Sequence, residues 1–249
     1  DFGFDVLAAN TDSIFVHKTG ARRPEDFQAL MGEINQRTGL SIELEGIFQW
    51  LAFLPSVGNP RIGASNRYFG KFYDGALKVR GMSQRRADSP AWITNVERAI
   101  LAELAGEPNA QQLQAHLPDA LAIIYQAVAD LYGERVPLEE LVTRKRLSRE
   151  PQDYSGQSEP AKAALQLRAA GIDVRLGQRV PIIYVKGRKP GVYAWGLPEP
   201  PSWNLIDKTR YRDLLVRSVF QVLQPLGMNE NDLASLVIGG GRQLVLWPD

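Results

Sequence analysis

The chain has 249 residues, of which 44% are hydrophobic and 23% charged, and its 29 lysines and arginines nearly balance 28 aspartates and glutamates. This composition is typical of a folded protein with one large core or two smaller ones. Cysteine is absent, which excludes disulfides and thiolate metal sites. Because the only histidines are His17 and His116, any metal is expected to be held by oxygen ligands. No apolar run is long enough to predict a transmembrane helix.

The first ninety residues combine strand and helix patterns. Two β-rich runs predict a hairpin that turns at residues 9–12. A helix is predicted to begin at Pro24, to carry apolar residues at helical spacing, and to end at Gly39. Three further strands are predicted at residues 41–54, 66–72 and 76–80, the last two joined by a turn at Asp74-Gly75.

Helical patterns dominate the remainder of the chain. Apolar spacing predicts helices over residues 93–104, from Pro118 to Gly133, from a cap at Ser158 to residue 171, and over residues 211–226. Strands are predicted at residues 141–147, 180–186 and 243–247, and residues 190–201 are predicted to be a connection. The pattern indicates an α+β first part and a mainly helical second part.

A polar tetrapeptide, Asn10-Thr11-Asp12-Ser13, lies where the first hairpin is predicted to turn. Residues two apart in an extended segment point to the same side, so positions 10 and 12 can present two oxygen ligands to a hard cation such as Mg²⁺. Asn10 is neutral, which makes it a weaker ligand than a carboxylate. Because Asn and Asp are also common in ordinary turns, the tetrapeptide alone does not distinguish a metal site from a turn.

Three blocks of sequence resemble motifs of the family B DNA polymerases, in the order in which that family has them. Residues 5–18, DVLAANTDSIFVHK, resemble the hairpin that carries Y-G-D-T-D-S. Residues 66–90, with NRYFG, KVRGM and RRADSP, are similar to the block K-K-x-Y…G…V-K-G-x-E-x-x-R-R-D. Residues 141–186 are similar to the family's thumb, which reads L-V-I-x-K-x-L, a helix, then G-x-x-V-x-Y-I-V. The resemblance covers nearly the whole chain.

The resemblance implies a polymerase palm, an antiparallel sheet with helices, over residues 1–90 and a mainly helical thumb over residues 91–249. The implied activity is template-directed DNA synthesis, in which a nucleotide from dNTP is transferred to the primer 3′ hydroxyl with two Mg²⁺ ions. The implied partners are primer-template DNA, dNTP and an upstream polymerase segment with the exonuclease, the fingers and the rest of the palm. No membrane partner is expected, and the expected location is cytoplasmic, on the nucleoid in a prokaryote.

Two motifs of the family, D-x-x-S-L-Y-P and K-x-x-x-N-S-x-Y-G, do not occur in this chain. The first holds the family's other metal-binding aspartate, and the second holds the nucleotide. The resemblance therefore implies that the two ions are shared with an aspartate outside this chain. The segment that carries it is expected either to be missing from this chain or to be made as a separate chain.

The resemblance also carries individual roles to matching residues. Asp12 matches the more direct metal ligand, and Asn10 replaces the aspartate that lies farther from the ions, which removes one negative charge. The implied DNA contacts are made by Arg67, Tyr68, Lys78, Arg80, Arg85 and Arg86. Departures from the family's charged residues occur at Ser65, Asn66, Ser83 and Ser155.

Basic residues cluster in residues 61–86, 135–149 and 168–189. Scattered lysines and arginines are usually solvated, but on a palm and thumb they contact phosphates, which position a duplex without reading its sequence. Contact with DNA is favoured for Arg80, Arg85 and Arg86 and left open for the others. The five tryptophans are expected to pack, residues 239–242 to form a turn, and neither histidine is given a role.

Two hypotheses for the function follow. The first is the palm and thumb portion of a DNA polymerase, with Asp12 as a metal ligand. The second is a catalytically decayed family B paralogue that keeps duplex affinity for a structural or regulatory task, and it is motivated by Asn10, Ser65 and Asn66. An unrelated globular domain is the third possibility.

Overall fold

The computed structural model describes residues 2–56, 58–59, 62–82, 88–154, 158–187 and 191–238. The strands are β1 (Asp5–Ala9), β2 (Ile14–His17), β3 (Phe48–Pro55), β4 (Gly63–Phe72), β5 (Leu77–Arg80), β6 (Thr143–Arg146), β7 (Arg179–Tyr184) and β8 (Val192–Ala194). The α-helices are α1 (Glu25–Thr38), α2 (Ala91–Leu104), α3 (Leu117–Tyr132), α4 (Glu159–Ala169), α5 (Lys208–Leu223) and α6 (Glu230–Ile238). Helices combined with small antiparallel sheets confirm the predicted α+β class.

The contacts between residues divide the chain into two compact units. The first unit comprises residues 1–82 and 104–115, and the second comprises residues 83–103 and 116–249. The division does not identify either unit as a palm or a thumb. The predicted boundary between palm and thumb at residue 90 therefore stays a prediction.

The first unit is built on the antiparallel sheet β3–β4–β5 and the hairpin β1–β2. Aromatic side chains hold the hairpin on this sheet, because the Phe15 ring lies edge-on to Phe53 at 5.2 Å and to Tyr68 at 5.1 Å. The ring of Phe4 lies 5.3 Å from that of Phe27 in α1. Gly39 ends this helix in the left-handed conformation, with a φ of 70°, as its sequence predicts.

The prediction of one long strand over residues 41–54 is wrong at its start. Strand β3 begins at Phe48, which lies opposite Phe72, the last residue of β4. Beyond Phe72 the chain turns back, and the Asp74 carboxylate accepts a hydrogen bond from the Ala76 N–H at 2.9 Å. Residues 41–47 therefore have no partner strand on β4, although their composition favours extended structure.

The helices of the second unit follow the predicted apolar stripes. Ile93, Val96 and Ile100 are buried along α2, and Ile124 and Leu131 are buried along α3. The N-terminus of α4 has the predicted cap, since the Ser158 hydroxyl accepts a hydrogen bond from the Ala161 N–H at 3.3 Å. Within the described part of the chain, no helix is both long and apolar enough to cross a membrane.

Two elements of the second unit were not predicted from the sequence. Strand β8 lies in the segment that was expected to be a connection, and it pairs with β7 so that Ile183 is opposite Tyr193. Helix α6 is capped by Asn229, whose side-chain oxygen accepts a hydrogen bond from the Asp232 N–H at 2.9 Å. The preceding helix α5 ends at Leu223, three residues earlier than predicted. The predicted turn at 239–242 and strand at 243–247 lie outside the described residues.

Two tyrosines connect β7, α5 and the segment before β6 in the core of the second unit. The buried Tyr211 hydroxyl donates to the Leu141 carbonyl at 2.8 Å and accepts from the Tyr184 N–H at 2.9 Å. The Arg210 guanidinium lies over the Tyr184 ring, 3.6 Å from its centroid, and forms an ion pair with Glu159. The Tyr184 hydroxyl donates to the same carboxylate at 3.4 Å.

The unit is expected to lose stability above pH 10. Burial, with the nearby Glu159 carboxylate, raises the pKa of Tyr184 to about 12, and burial also raises the pKa of Tyr211. The unfolded chain ionises its tyrosines near pH 10 while the folded chain still holds these protons, so the free energy of unfolding falls as the pH rises from 10 to 12. Urea unfolding at several pH values should show a shallower fall for Tyr184→Phe, by up to about 1.4 kcal/mol per pH unit. The exposed Tyr73→Phe is the control, and equal slopes for all three proteins would contradict the prediction.

Candidate functional site

The tetrapeptide at residues 10–13 forms the turn between β1 and β2. The Asn10 side-chain oxygen accepts hydrogen bonds from the Asp12 N–H at 3.0 Å, the Ser13 N–H at 3.0 Å and the Ser13 hydroxyl at 3.1 Å. The Asn10 N–H donates to the Ser13 carbonyl at 2.9 Å. Because these residues form a turn, the alternation of an extended strand does not apply to them, and a ligand pair at positions 10 and 12 stays a prediction.

This turn offers a cation one carboxylate and not a pair. Asp12 is exposed at the tip of the hairpin. The Asn10 oxygen already accepts three hydrogen bonds, and its amide nitrogen cannot ligate a cation. Mg²⁺ is commonly held by one or two carboxylates together with phosphates and water. Asp12 therefore fits the part of a single ligand in a shared site, whereas Asn10 shapes the turn.

The position of Asp12 depends on the aromatic contacts that hold the hairpin. Tyr68, one of the predicted DNA contacts, is at the centre of this packing and is 3% exposed. Its ring lies 5.1 Å from Phe15, 5.9 Å from Phe53 and 6.3 Å from Phe48. Tyr68 thus supports the hairpin, and its contact with DNA stays a prediction.

Two predicted cations share the hairpin face of the sheet. Arg80 lies opposite Tyr68 and Lys78 lies opposite Gly70, so the pleat directs both side chains to the face that Phe15 covers in part. Arg80 is exposed and makes no ion pair with any residue that the structure describes. Lys78 is paired with Glu45, so a phosphate contact by Lys78 would have to displace that carboxylate. Arg67 is half-buried and belongs by alternation to the opposite face.

Strand β5 is followed by a glycine that the fold requires. Gly81 has a φ of 67°, and a Cβ atom built there would lie 2.4 Å from the Asn66 carbonyl oxygen. Only glycine allows this close approach without strain. The next predicted DNA contacts, Arg85 and Arg86, lie outside the described residues, and their roles stay predictions.

In the second unit, Asp88 of the RRADSP block contacts two residues of β6. The Thr143 hydroxyl donates to the Asp88 carbonyl, and the Lys145 ammonium lies 3.1 Å from the Asp88 carboxylate. After β6, the Tyr154 hydroxyl accepts hydrogen bonds from the N–H groups of Ser148 at 3.1 Å and Arg149 at 3.3 Å. The tyrosine of the predicted thumb motif therefore holds the backbone that follows β6.

One cluster of possible metal ligands was missed by the sequence analysis. The His116 Nδ1 atom lies 3.1 Å from a Glu103 oxygen and 3.9 Å from an Asp119 oxygen. Their ligand atoms all lie within 4.8 Å of one another. The hydrogen bond between His116 and Glu103 is sufficient to explain the grouping. No local pattern reveals it, because Glu103 lies in the last turn of α2, whereas His116 caps α3 and Asp119 lies in its first turn.

Comparisons with known proteins place these features in one family. The model for DNA polymerase family B matches residues 1–224. The DNA polymerase of Archaeoglobus fulgidus is 29% identical over 185 residues, which are 74% of this chain and 22% of that protein. DNA polymerase 2 of Aeropyrum pernix is 27% identical over 253 aligned positions, covering 99% of this chain and 28% of that protein. The chain thus spans about a quarter of the length of these relatives.

A solved structure shows the same fold. The family B DNA polymerase of Pyrobaculum calidifontis superposes with a TM-score of 0.63 at 20% identity, over 91% of this chain and 27% of that one. The family match extends from the hairpin through α5, which includes the turn that carries Asp12. The chain belongs to DNA polymerase family B.

Proposed function

We propose that the chain is the C-terminal palm and thumb portion of a template-directed DNA polymerase, with residues 1–90 in the palm and residues 91–249 in the thumb. The observation that carries the proposal is the family match over residues 1–224, with Asp12 exposed at a hairpin tip. The partners are primer-template DNA, dNTP, and an upstream segment with the exonuclease, the fingers and the rest of the palm. This chain spans about a quarter of its relatives' length, which leaves room for such a segment in the remaining three quarters.

The reaction is nucleotidyl transfer. The primer 3′ hydroxyl loses its proton to solvent and its oxygen forms a bond to the α-phosphorus of dNTP, while the bond from that phosphorus to the bridging oxygen breaks and pyrophosphate leaves. When bound, two Mg²⁺ ions activate the hydroxyl and stabilise the leaving group. Asp12 supplies one carboxylate ligand, and an aspartate outside this chain supplies another. Within this chain, the Asn10 turn fixes the backbone of Asp12, and the Phe15 contacts fix the hairpin.

The basic residues of the sheet are proposed to hold the duplex. Arg80 is the favoured described contact because it is exposed and has no ion pair with the described residues. The other described contacts are proposed to contribute less. Lys78 is paired with Glu45, Arg67 is half-buried, and Tyr68 is buried. Such contacts position the primer-template and do not select its sequence.

A second candidate function is a catalytically decayed paralogue that binds duplex DNA. The observation in its favour is the Asn10 oxygen, which accepts three hydrogen bonds within the turn and leaves Asp12 as the only carboxylate at residues 10–13. A loss of one carboxylate weakens the hold on two divalent ions. Duplex binding does not require those ions and would persist.

Substitution of Asn10 by aspartate distinguishes the two candidates. An aspartate can keep the turn with one oxygen and present the second, charged oxygen where the amide nitrogen is now. We expect Asn10→Asp to raise primer extension about tenfold or more, because changes to residues beside a metal ligand typically alter activity 10- to 100-fold. The measurement is primer extension with Mg²⁺ and an upstream polymerase segment supplied in trans.

The matched control is Asn109→Asp. Asn109 also uses its side-chain oxygen to accept a backbone N–H, that of Gln112 at 3.1 Å, so the variant adds the same charge to a similar cap. It should leave extension unchanged. No extension from the parent chain or from Asn10→Asp, with duplex binding retained in both, would favour the decayed paralogue.

A further inference from the structure

Three side chains of the kinds that bind metals lie where α2 ends and α3 begins, all within the second unit. Glu103 lies in the last turn of α2, His116 precedes α3, and Asp119 lies in the first turn of α3. The His116 Nδ1 atom is 3.1 Å from a Glu103 oxygen and 3.9 Å from an Asp119 oxygen. We call these three residues the α2–α3 cluster.

The spacing of the α2–α3 cluster suits a small divalent cation. Ligand atoms that lie about 2.1 Å from a tetrahedral ion are about 3.4 Å from one another. The two distances from Nδ1 fall on either side of this value. The side chains of Glu103 and Asp119 are 40% and 65% exposed, so small rotations can adjust both oxygens. The hydrogen bond between His116 and Glu103 already orders two of the ligands, which lowers the entropic cost of binding an ion.

The charge of the α2–α3 cluster also favours a cation. Among the residues that the structure describes, no lysine or arginine forms an ion pair with Glu103 or Asp119, and their partner is His116. The last turn of α2 contains no basic residue, although the C-terminal end of a helix favours cations over an acid such as Glu103. When the imidazole is neutral, the two carboxylates leave two negative charges, which one divalent ion balances.

We propose that the α2–α3 cluster binds a Zn²⁺ ion, with His116, Glu103 and Asp119 as ligands and water in the fourth position. Imidazole nitrogens and carboxylate oxygens are ordinary zinc ligands, and zinc binds to three protein ligands and one water in many proteins. When the ion binds, Nδ1 releases its proton to solvent and Nε2 keeps one, so the imidazole stays neutral. Mg²⁺ prefers an octahedron of oxygen ligands, so this site differs in chemistry from the one proposed at Asp12.

The expected role of the ion is structural. Glu103 and His116 are 13 residues apart, and they flank the segment 104–115. An ion that ligates both residues holds the two ends of this segment together and removes part of the entropic cost of closing the loop. Because the ligand set forms only in the folded chain, zinc adds to the free energy of unfolding. Zinc binding at this cluster does not require polymerase activity.

The test is titration of the full chain, freed of metal by a chelator, with Co²⁺, followed by visible absorption. Co²⁺ can replace zinc, and a four-coordinate Co²⁺ ion absorbs visible light much more strongly than the aqueous ion. We expect the parent chain to bind one Co²⁺ with a four-coordinate spectrum and to release it when Zn²⁺ is added in excess. H116Q should raise the Kd at least about 100-fold, and E103Q and D119N at least about tenfold each.

The matched control is H17Q, because His17 is the chain's other histidine and is exposed. Its Kd for Co²⁺ should equal that of the parent. D12A should also bind Co²⁺ as the parent does, so an inactive polymerase still gives a result for the α2–α3 cluster. A parent chain without a four-coordinate spectrum, or an equal Kd for the parent and H116Q, would overturn the proposal.

Thermal melting tests the structural role of the ion. At a hundredfold excess of Zn²⁺ over its Kd, the Tm of the parent and of H17Q should rise by about 5 °C or more. The Tm of H116Q should not change at the same concentration. Melting without metal shows whether each variant is folded, and E103Q and D119N repeat the test with the imidazole kept. An equal rise in Tm for H116Q and the parent would assign the zinc to other residues and overturn the proposal.

Discussion

Replacement of Asp12 by alanine is expected to lower primer extension by at least about 100-fold. Changes to residues that only support metal ligands typically cost 10- to 100-fold, and loss of a direct ligand should cost no less. The structure adds a reason, because the Asn10 oxygen accepts three hydrogen bonds and cannot take over as a ligand. The measurement is single-turnover extension with Mg²⁺ and the upstream segment supplied in trans.

Asp74→Ala is the matched control for this loss. Asp74 is also an exposed aspartate in a hairpin turn of the first unit, and its carboxylate accepts a backbone N–H from Ala76. Extension by Asp74→Ala should equal that of the parent chain. Binding of the duplex should be the same for both variants and the parent, which separates catalysis from affinity. Unchanged extension by Asp12→Ala would show that the metal role assigned to Asp12 is wrong.

Tyr211→Phe is expected to lower the free energy of unfolding by about 2–4 kcal/mol. The tyrosine hydroxyl satisfies two buried backbone groups, the Leu141 carbonyl and the Tyr184 N–H. Each buried polar group left without a partner costs about 1–3 kcal/mol. Urea unfolding followed by circular dichroism measures the change.

Tyr125→Phe gives the opposite expectation within the same unit. The Tyr125 hydroxyl is buried and has no hydrogen-bond partner among the described residues. Burial raises the pKa of this tyrosine. Removal of an unsatisfied hydroxyl should leave the free energy of unfolding unchanged or raise it by up to about 1 kcal/mol. Equal losses in the two variants would contradict the hydrogen bonds assigned to Tyr211.

Helices were the elements best predicted from the sequence. The ends of α1 follow from Pro24 and Gly39, and the stripe of α2 follows from Ile93, Val96 and Ile100. These signals are local, since each depends on residues within one or two helical turns. Helix α6 had similar signals in its Asn229 cap and the buried Leu233 and Val237, but they span only nine residues.

Strands were predicted less well because a strand needs a partner. Residues 41–47 have a β-rich composition but lie beyond the end of β4, whereas the three-residue β8 forms because β7 is beside it. The candidate site lies in a tight turn, and its features were accordingly predictable from local sequence. The turn at residues 10–13 and the exposure of Asp12 were within reach of local reasoning, and the Asn10 hydrogen bonds follow a known turn preference.

Local sequence patterns predicted five of the six described α-helices and the hairpin turn that holds Asp12, and the sequence motifs carried the resemblance to DNA polymerase family B. Which lysines and arginines are paired with a carboxylate follows from the tertiary fold. It pairs Lys78 with Glu45 and Lys145 with Asp88, and it sets Arg146 beside Arg179. These contacts join residues that are far apart along the chain, and their energies depend on register and burial. No local pattern contains that information.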